Sequence, residues 1–186
     1  FRIGSRAGRE QDYIPHLFLP LAYDLVATTL PDEARRRFAE WAVPRYVRQP
    51  LTTHRANYLK SAGHNMTIGA IEMALAMALV LQSEAGVPDL APELAELQRF
   101  FRATLHVAVG PDGYPEEDIG YGTVVVPCLV QAAEMLRRAG RYDAYRECPH
   151  LTLFGRAMLH FVQPWGECLS NTGDHGDQFR DREFAL

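Results

Sequence analysis

The chain has 186 residues, a formal net charge of −4, 47% hydrophobic and 23% charged residues. That balance excludes a disordered or fibrous protein and suits one folded domain, or a piece of a larger protein. Nucleic acid is not expected as a partner: the one basic run, Arg35-Arg36-Arg37, sits in a helical pattern beside Glu33 and Glu40 and reads as a solvated helix face.

The first segment, 12–29, places Ile14, Leu17, Phe18, Leu21, Leu25 and Val26 at helical steps of three and four. Pro20 is expected to kink or restart that helix. Leu30-Pro31-Asp32-Glu33 opens a second helix, 31–48, with proline and carboxylates in its first turn, and Pro44 should bend or shorten it. Residues 49–63 show no clean period and read as a loop. A strongly apolar helix is predicted over 65–85, stopped by Gly86 and Pro88, followed by an amphipathic partner over 93–109. Residues 110–120 form a turn-rich loop. Helices over 121–139, with Gly140 as the C-terminal glycine, and over 151–162 complete the pattern. Thr123–Val126, the best strand candidate, is cut by Pro127 and is better joined to its helix.

These elements predict an all-α fold of antiparallel helix pairs. The contrast between the apolar 65–85 helix and its amphipathic successor predicts an inner and an outer layer. Ile68, Ile71, Leu75, Leu79, Phe100, Leu105, Leu129 and Met135 are the expected core. The longest apolar run, Met66–Leu81, contains Glu72 and falls short of the roughly 20 residues a membrane span requires, so no membrane association is expected. Cys128, Cys148 and Cys168 are odd in number and lack a CxxC pair, which argues against a disulfide framework or a zinc site. No cofactor is expected. Asp174-His175-Gly176-Asp177 resembles a metal loop in composition but would need spaced oxygen ligands from elsewhere in the chain. No signal peptide is visible, and because the chain starts at Phe1 its address stays open.

Polar residues concentrate in two stretches, each at the start of a predicted inner helix. The first holds Asn57, Tyr58, Gly63, His64 and Asn65; the second runs from Asp112 through Glu116, Glu117 and Asp118 to Tyr121 and Gly122. Two inner helices running in the same sense would bring these stretches to one end of the molecule, where helix N-termini favour an anionic ligand. Simpler readings stand beside this one: Asn65 as an N-cap, His64 as a surface histidine, Asp112-Gly113 as a turn and Tyr121 as a packed aromatic.

The two stretches, written Asn57-Tyr58-Leu59-Lys60-Ser61-Ala62-Gly63-His64-Asn65-Met66 and Pro111-Asp112-Gly113, then Glu117, then Tyr121-Gly122, resemble the heparinase II/III-like polysaccharide lyases. Leu21-Ala22-Tyr23-Asp24-Leu25-Val26 resembles a helix of that family's α-domain, and the likeness spans most of 12–162. The resemblance implies part of an incomplete (α/α) toroid over 1–165 and an irregular tail over 166–186 leading toward a β-domain outside this chain. It also implies β-elimination at a uronic acid of an anionic polysaccharide or oligosaccharide, and a periplasmic or secreted location. By the same resemblance, Tyr121 is the proton-transfer residue and His64 or Asn65 the neutraliser of the uronate carboxylate. The resemblance also implies that Asn57, Tyr58 and Glu117 line the substrate cleft, with Asn57 as the second choice for the carboxylate neutraliser. The family's β-domain histidine has no counterpart here, so the chain reads as a fragment of a longer enzyme or as a degenerate relative. Two alternatives remain open: a helical-toroid glycoside hydrolase using a carboxylate among Glu116, Glu117 and Asp118 with a distant Asp, and a helical scaffold that binds partners without chemistry.

Overall fold

A computed structural model describes residues 18–56, 62–84, 86–117 and 119–161. It is all-α, with no strand among the described residues apart from a single antiparallel bridge between Val109 and Pro115. The helices are α1 (Phe18–Val26), α2 (Asp32–Ala42), α3 (Gln49–Arg55), α4 (Asn65–Leu81), α5 (Ala91–Ala108), α6 (Ile119–Arg138), α7 (Ala144–Glu147) and α8 (Phe154–Leu159). The start of the first predicted helix, 12–17, and the tail 166–186 lie outside the described residues.

Helix α4 is central. Every residue from Thr67 to Ala78 is buried, and Leu81 joins them. It packs against α5, α6, α1, α3 and the turn Val43–Arg48. An element surrounded in this way needs apolar residues all round, and α4 has them apart from Asn65 and Thr67 in its first turn and Glu72 near its middle. Helix α5 needs only one apolar face, and Leu94, Leu97, Phe101, Leu105 and Ala108 supply it at steps of three and four. Its outer face carries Glu96, Arg99 and Arg102 instead.

The second predicted helix divides. Pro44 lacks the N–H that an α-helical bond needs, and Val43–Arg48 widens into a π-helical turn. The chain then continues as α3, where a loop was expected. Pro50, Leu51 and His54 are buried in it, so packing rather than an apolar repeat decides the structure there. Arg48–Glu93 and Arg55–Glu96 ion pairs lie between this region and α5.

Pro20 falls in the first turn of α1 and is buried there, which a proline tolerates without breaking the helix. Tyr23 stacks on Phe38 of α2, with ring centroids 4.3 Å apart, and donates to Glu84 at 2.8 Å beyond the end of α4. Thr123–Val126 belong to α6, which runs through Pro127. That helix ends at Gly140, whose φ of +65° admits the reversal. Gly140 N–H donates to the Arg137 carbonyl and Arg141 N–H to that of Leu136, the paired bonds of a Schellman stop.

Six of the eight expected core residues are buried. Leu79 and Met135 are only half-buried: Leu79 lies in the last turn of α4, and Leu136, one residue on, takes the inward position on α6. The helix predicted at 151–162 is a 3-10 turn, Pro149–Leu153, followed by the short α8.

Candidate functional site

The two polar stretches meet. His64 is in extended conformation immediately before α4, and its Nδ1 accepts from Met66 N–H at 3.3 Å. His64 is therefore the N-cap, and Asn65, the residue expected there, is the first helical position. Asn65 N–H donates instead to Glu117 Oε2 at 2.8 Å, across 52 residues of sequence. Accepting at Nδ1 leaves the proton on Nε2 in the neutral ring, and that nitrogen lies 3.9 Å from Glu117 Oε1. This is a charge contact when the ring is protonated and too long for a hydrogen bond. Glu117 thus sits where the α4 N-terminus favours negative charge.

Glycines make this approach possible. At Gly63 a Cβ would meet Glu116 Cγ and the Val107 carbonyl at 3.7 Å, an ordinary contact, so the need for glycine falls on Gly122 and Gly113. At Gly122 a Cβ would lie 2.3 Å from Pro115 Cγ, so only glycine lets the 110–117 loop lie on the first turns of α6. Gly113 has φ of +86°, and a Cβ there would lie 2.6 Å from the Leu153 backbone carbon. The loop is tied by Gly113 N–H to the Gly110 carbonyl at 2.9 Å and by Glu116 N–H to the Ala108 carbonyl at 3.0 Å. The glycines of the Pro-Asp-Gly and Tyr-Gly motifs therefore have a packing reason of their own.

Among the expected site residues, the structure brings His64, Asn65 and Glu117 together. Tyr121 is half-buried in the first turn of α6, four residues beyond Glu117. Glu116 flanks Gly63. Asn57, Tyr58 and Asp118 lie outside the described residues, as do Cys168 and 174–177. The Asn65 side chain carries a buried carbonyl oxygen with no hydrogen-bond partner among the described residues.

No known protein family, curated protein or solved structure matches this chain. The chemistry of the site rests on its own geometry.

Two further features escaped the sequence reading. Midway along α4, Glu72 is almost fully buried against Cys128 of α6, with Oε2 unpartnered among the described residues. Burial pushes its carboxyl well above the usual carboxylate range, only partly offset by the Cys128 hydrogen bond. Desolvation, followed by the charge of Glu72, pushes the Cys128 thiol up as well. An apolar run interrupted by one acid was the available signal.

The second feature joins α5 to α7. Glu147 accepts from Arg102 Nη2 at 2.9 Å and lies 3.2 Å from His106 Nε2, while His106 Nδ1 is 3.7 Å from Cys148 Sγ. The order acid, histidine, thiol is that of a nucleophilic triad, but Cys148 has no exposed surface and burial raises its thiol. A substrate cannot reach that sulfur, and the thiolate is disfavoured. This cluster is a structural tie. Among the described residues no group of three His, Cys, Asp or Glu side chains is arranged to hold a metal ion, and no helix is long and apolar enough to cross a membrane.

Proposed function

We propose that this chain is the helical part of a polysaccharide lyase, a portion of an incomplete (α/α) toroid of the heparinase II/III-like kind. It acts in the periplasm or outside the cell on a uronate-containing polysaccharide. One observation carries the reading: the 2.8 Å bond from Asn65 N–H to Glu117, which joins the two stretches of the resemblance at one end of neighbouring helices. A site assembled from both stretches is what a two-motif active site requires.

In the reaction the proton leaves C5 of the uronate, the C4–O bond breaks, a C4–C5 double bond forms and the departing oxygen takes up a proton. Negative charge grows on the carboxylate as the C5 proton departs, so a donor beside it lowers the barrier. His64 Nε2–H and the Asn65 side-chain amide are the donors assigned to that role. Glu117, held by the Asn65 N–H at the α4 N-terminus, is assigned to the cleft wall. Tyr121 carries the proton to or from the sugar.

The test is the ultraviolet absorbance of unsaturated uronide ends when the full-length protein is incubated with acidic polysaccharides. Tyr121→Phe keeps the ring and removes only the hydroxyl. It should lower turnover by about 10²-fold or more while the chain stays folded, as circular dichroism would show.

One observation favours a second reading, a helical binding scaffold without chemistry: Glu117 itself occupies the amide where a ligand anion would bind. Full activity in the Tyr121→Phe protein removes the tyrosine assignment. Absence of unsaturated product from every acidic glycan tried puts the scaffold reading first.

A further inference from the structure

A cavity of about 510 Å³ lies between the 110–117 loop and α8, open to solvent on one side. Its volume falls within the range of small-ligand sites. Asp112 and Tyr114 come from the loop, and Leu153, Arg156, Ala157, His160 and Phe161 from α8 and its flanks. Gly113, pressed on the Leu153 backbone between the two loop residues, fixes these walls against each other. The cavity is a consequence of the loop's docking; it takes Asp112 from the second stretch but shares no lining residue with the His64, Asn65 and Glu117 cluster at the start of α4.

Its lining combines three kinds of group. The Tyr114 and Phe161 rings lie 5.3 Å apart at 44° and form one apolar flank. Arg156 and His160, four residues apart on one helical face, supply donors. Arg156 is exposed and, like Arg37 and Arg146, has no side-chain ion-pair or hydrogen-bond partner among the described residues; what sets it apart is its place in the cavity wall beside Tyr114, Phe161 and Asp112. Asp112 supplies an acceptor, with Oδ1 held by Tyr114 N–H at 3.1 Å. A guanidinium matches a carboxylate through two parallel hydrogen bonds. An aromatic flank takes the face of a ring, and a fixed carboxylate accepts from a hydroxyl.

We infer that this cavity binds a hydroxylated ring bearing one carboxylate, with Arg156 on the carboxylate, Tyr114 and Phe161 on the ring face and Asp112 on a hydroxyl. Acidic sugars and phenolic acids share that chemistry. The inference goes beyond the lyase reading and does not depend on it, because binding here requires no elimination step.

Calorimetric titration of the full chain with glucuronate, 4-hydroxybenzoate and glucose tests it. Saturable binding of either acid, with glucose at least tenfold weaker, is the expected result. Glucuronate alone identifies the sugar source, 4-hydroxybenzoate alone the phenolic one, and both together the shared class. Arg156→Gln should weaken binding about tenfold or more, and Arg156→Lys less, because charge remains while the two-pronged geometry is lost. Arg146→Gln, at an exposed arginine on α7, should leave binding unchanged. No saturable binding of either acid, glucose binding as well as the acids, or an Arg156→Gln protein that binds normally would each overturn the inference. Since the readout is affinity, a protein that binds glucuronate but makes no unsaturated product fails only the lyase reading.

Discussion

Two carboxylates, Glu117 and Glu72, lie at the contact between α4 and α6 and meet opposite conditions. Glu117 stands at the end of α4, where a backbone N–H donates to it at 2.8 Å and a histidine lies nearby. Glu72 lies seven residues inside α4, about 10 Å along the axis. It faces a thiol, and one of its oxygens is unpartnered among the described residues. A helix end offers unsatisfied donors and a positive dipole, whereas the middle of a buried helix offers neither. The same side chain is therefore held as an anion partner in one place and driven toward its neutral form in the other.

The contrast depends on the middle of α4 being a dry, fully packed core. Leu75, one turn beyond Glu72, has no exposed surface. Leu75→Ala should cost about 2–5 kcal/mol in chemical denaturation. A loss below about 0.5 kcal/mol would mean that this stretch is loosely packed, and the comparison would collapse.

Next in size is the effect of Glu72. The folded chain holds its proton more tightly than the unfolded chain. Stability from this group is therefore full below the ordinary carboxylate range and is lost as pH rises through the raised folded value. Glu72→Met should raise stability at neutral pH by about 1–3 kcal/mol, the usual penalty for a buried unsatisfied polar group. Denaturant midpoints measured from pH 4 to pH 9 should fall with pH in the native chain and fall less in Glu72→Gln. Equal slopes in the two would show that Glu72 is not the buried acid responsible.

Glu117 should give the smallest change. Glu117→Gln keeps the shape and removes the charge from the α4 N-terminus, and a loss of about 0.5–1 kcal/mol is expected. Raising the salt concentration should shrink that difference, because Glu117 is partly exposed. A loss as large as that of Leu75→Ala would mean that Glu117 holds the loop and both helices together, beyond its capping role.

The candidate site was half legible in the sequence. That His64, Asn65 and Glu117 belong to helix-opening stretches follows from local pattern, and so does the expectation that an anion is favoured there. The anion is the chain's own Glu117, expected only as a wall residue, and the cap is His64 in place of Asn65. The cavity around Arg156 left no sequence signal, because Asp112 and Tyr114 are some forty residues from the α8 groups that complete it.

By itself the sequence determined the helical class, the burial of α4 on all sides, the one-sided face of α5 and the stop at Gly140. These follow from propensity, periodicity and capping, which act over a few residues and are written in consecutive letters. Tertiary structure alone decided that 49–55 is helical, that Leu136 turns inward more fully than Met135 and that Glu117 reaches Asn65. Each depends on which surfaces meet after the chain has folded back on itself. Packing over tens of residues can outweigh a local preference worth only a few tenths of a kcal/mol per residue.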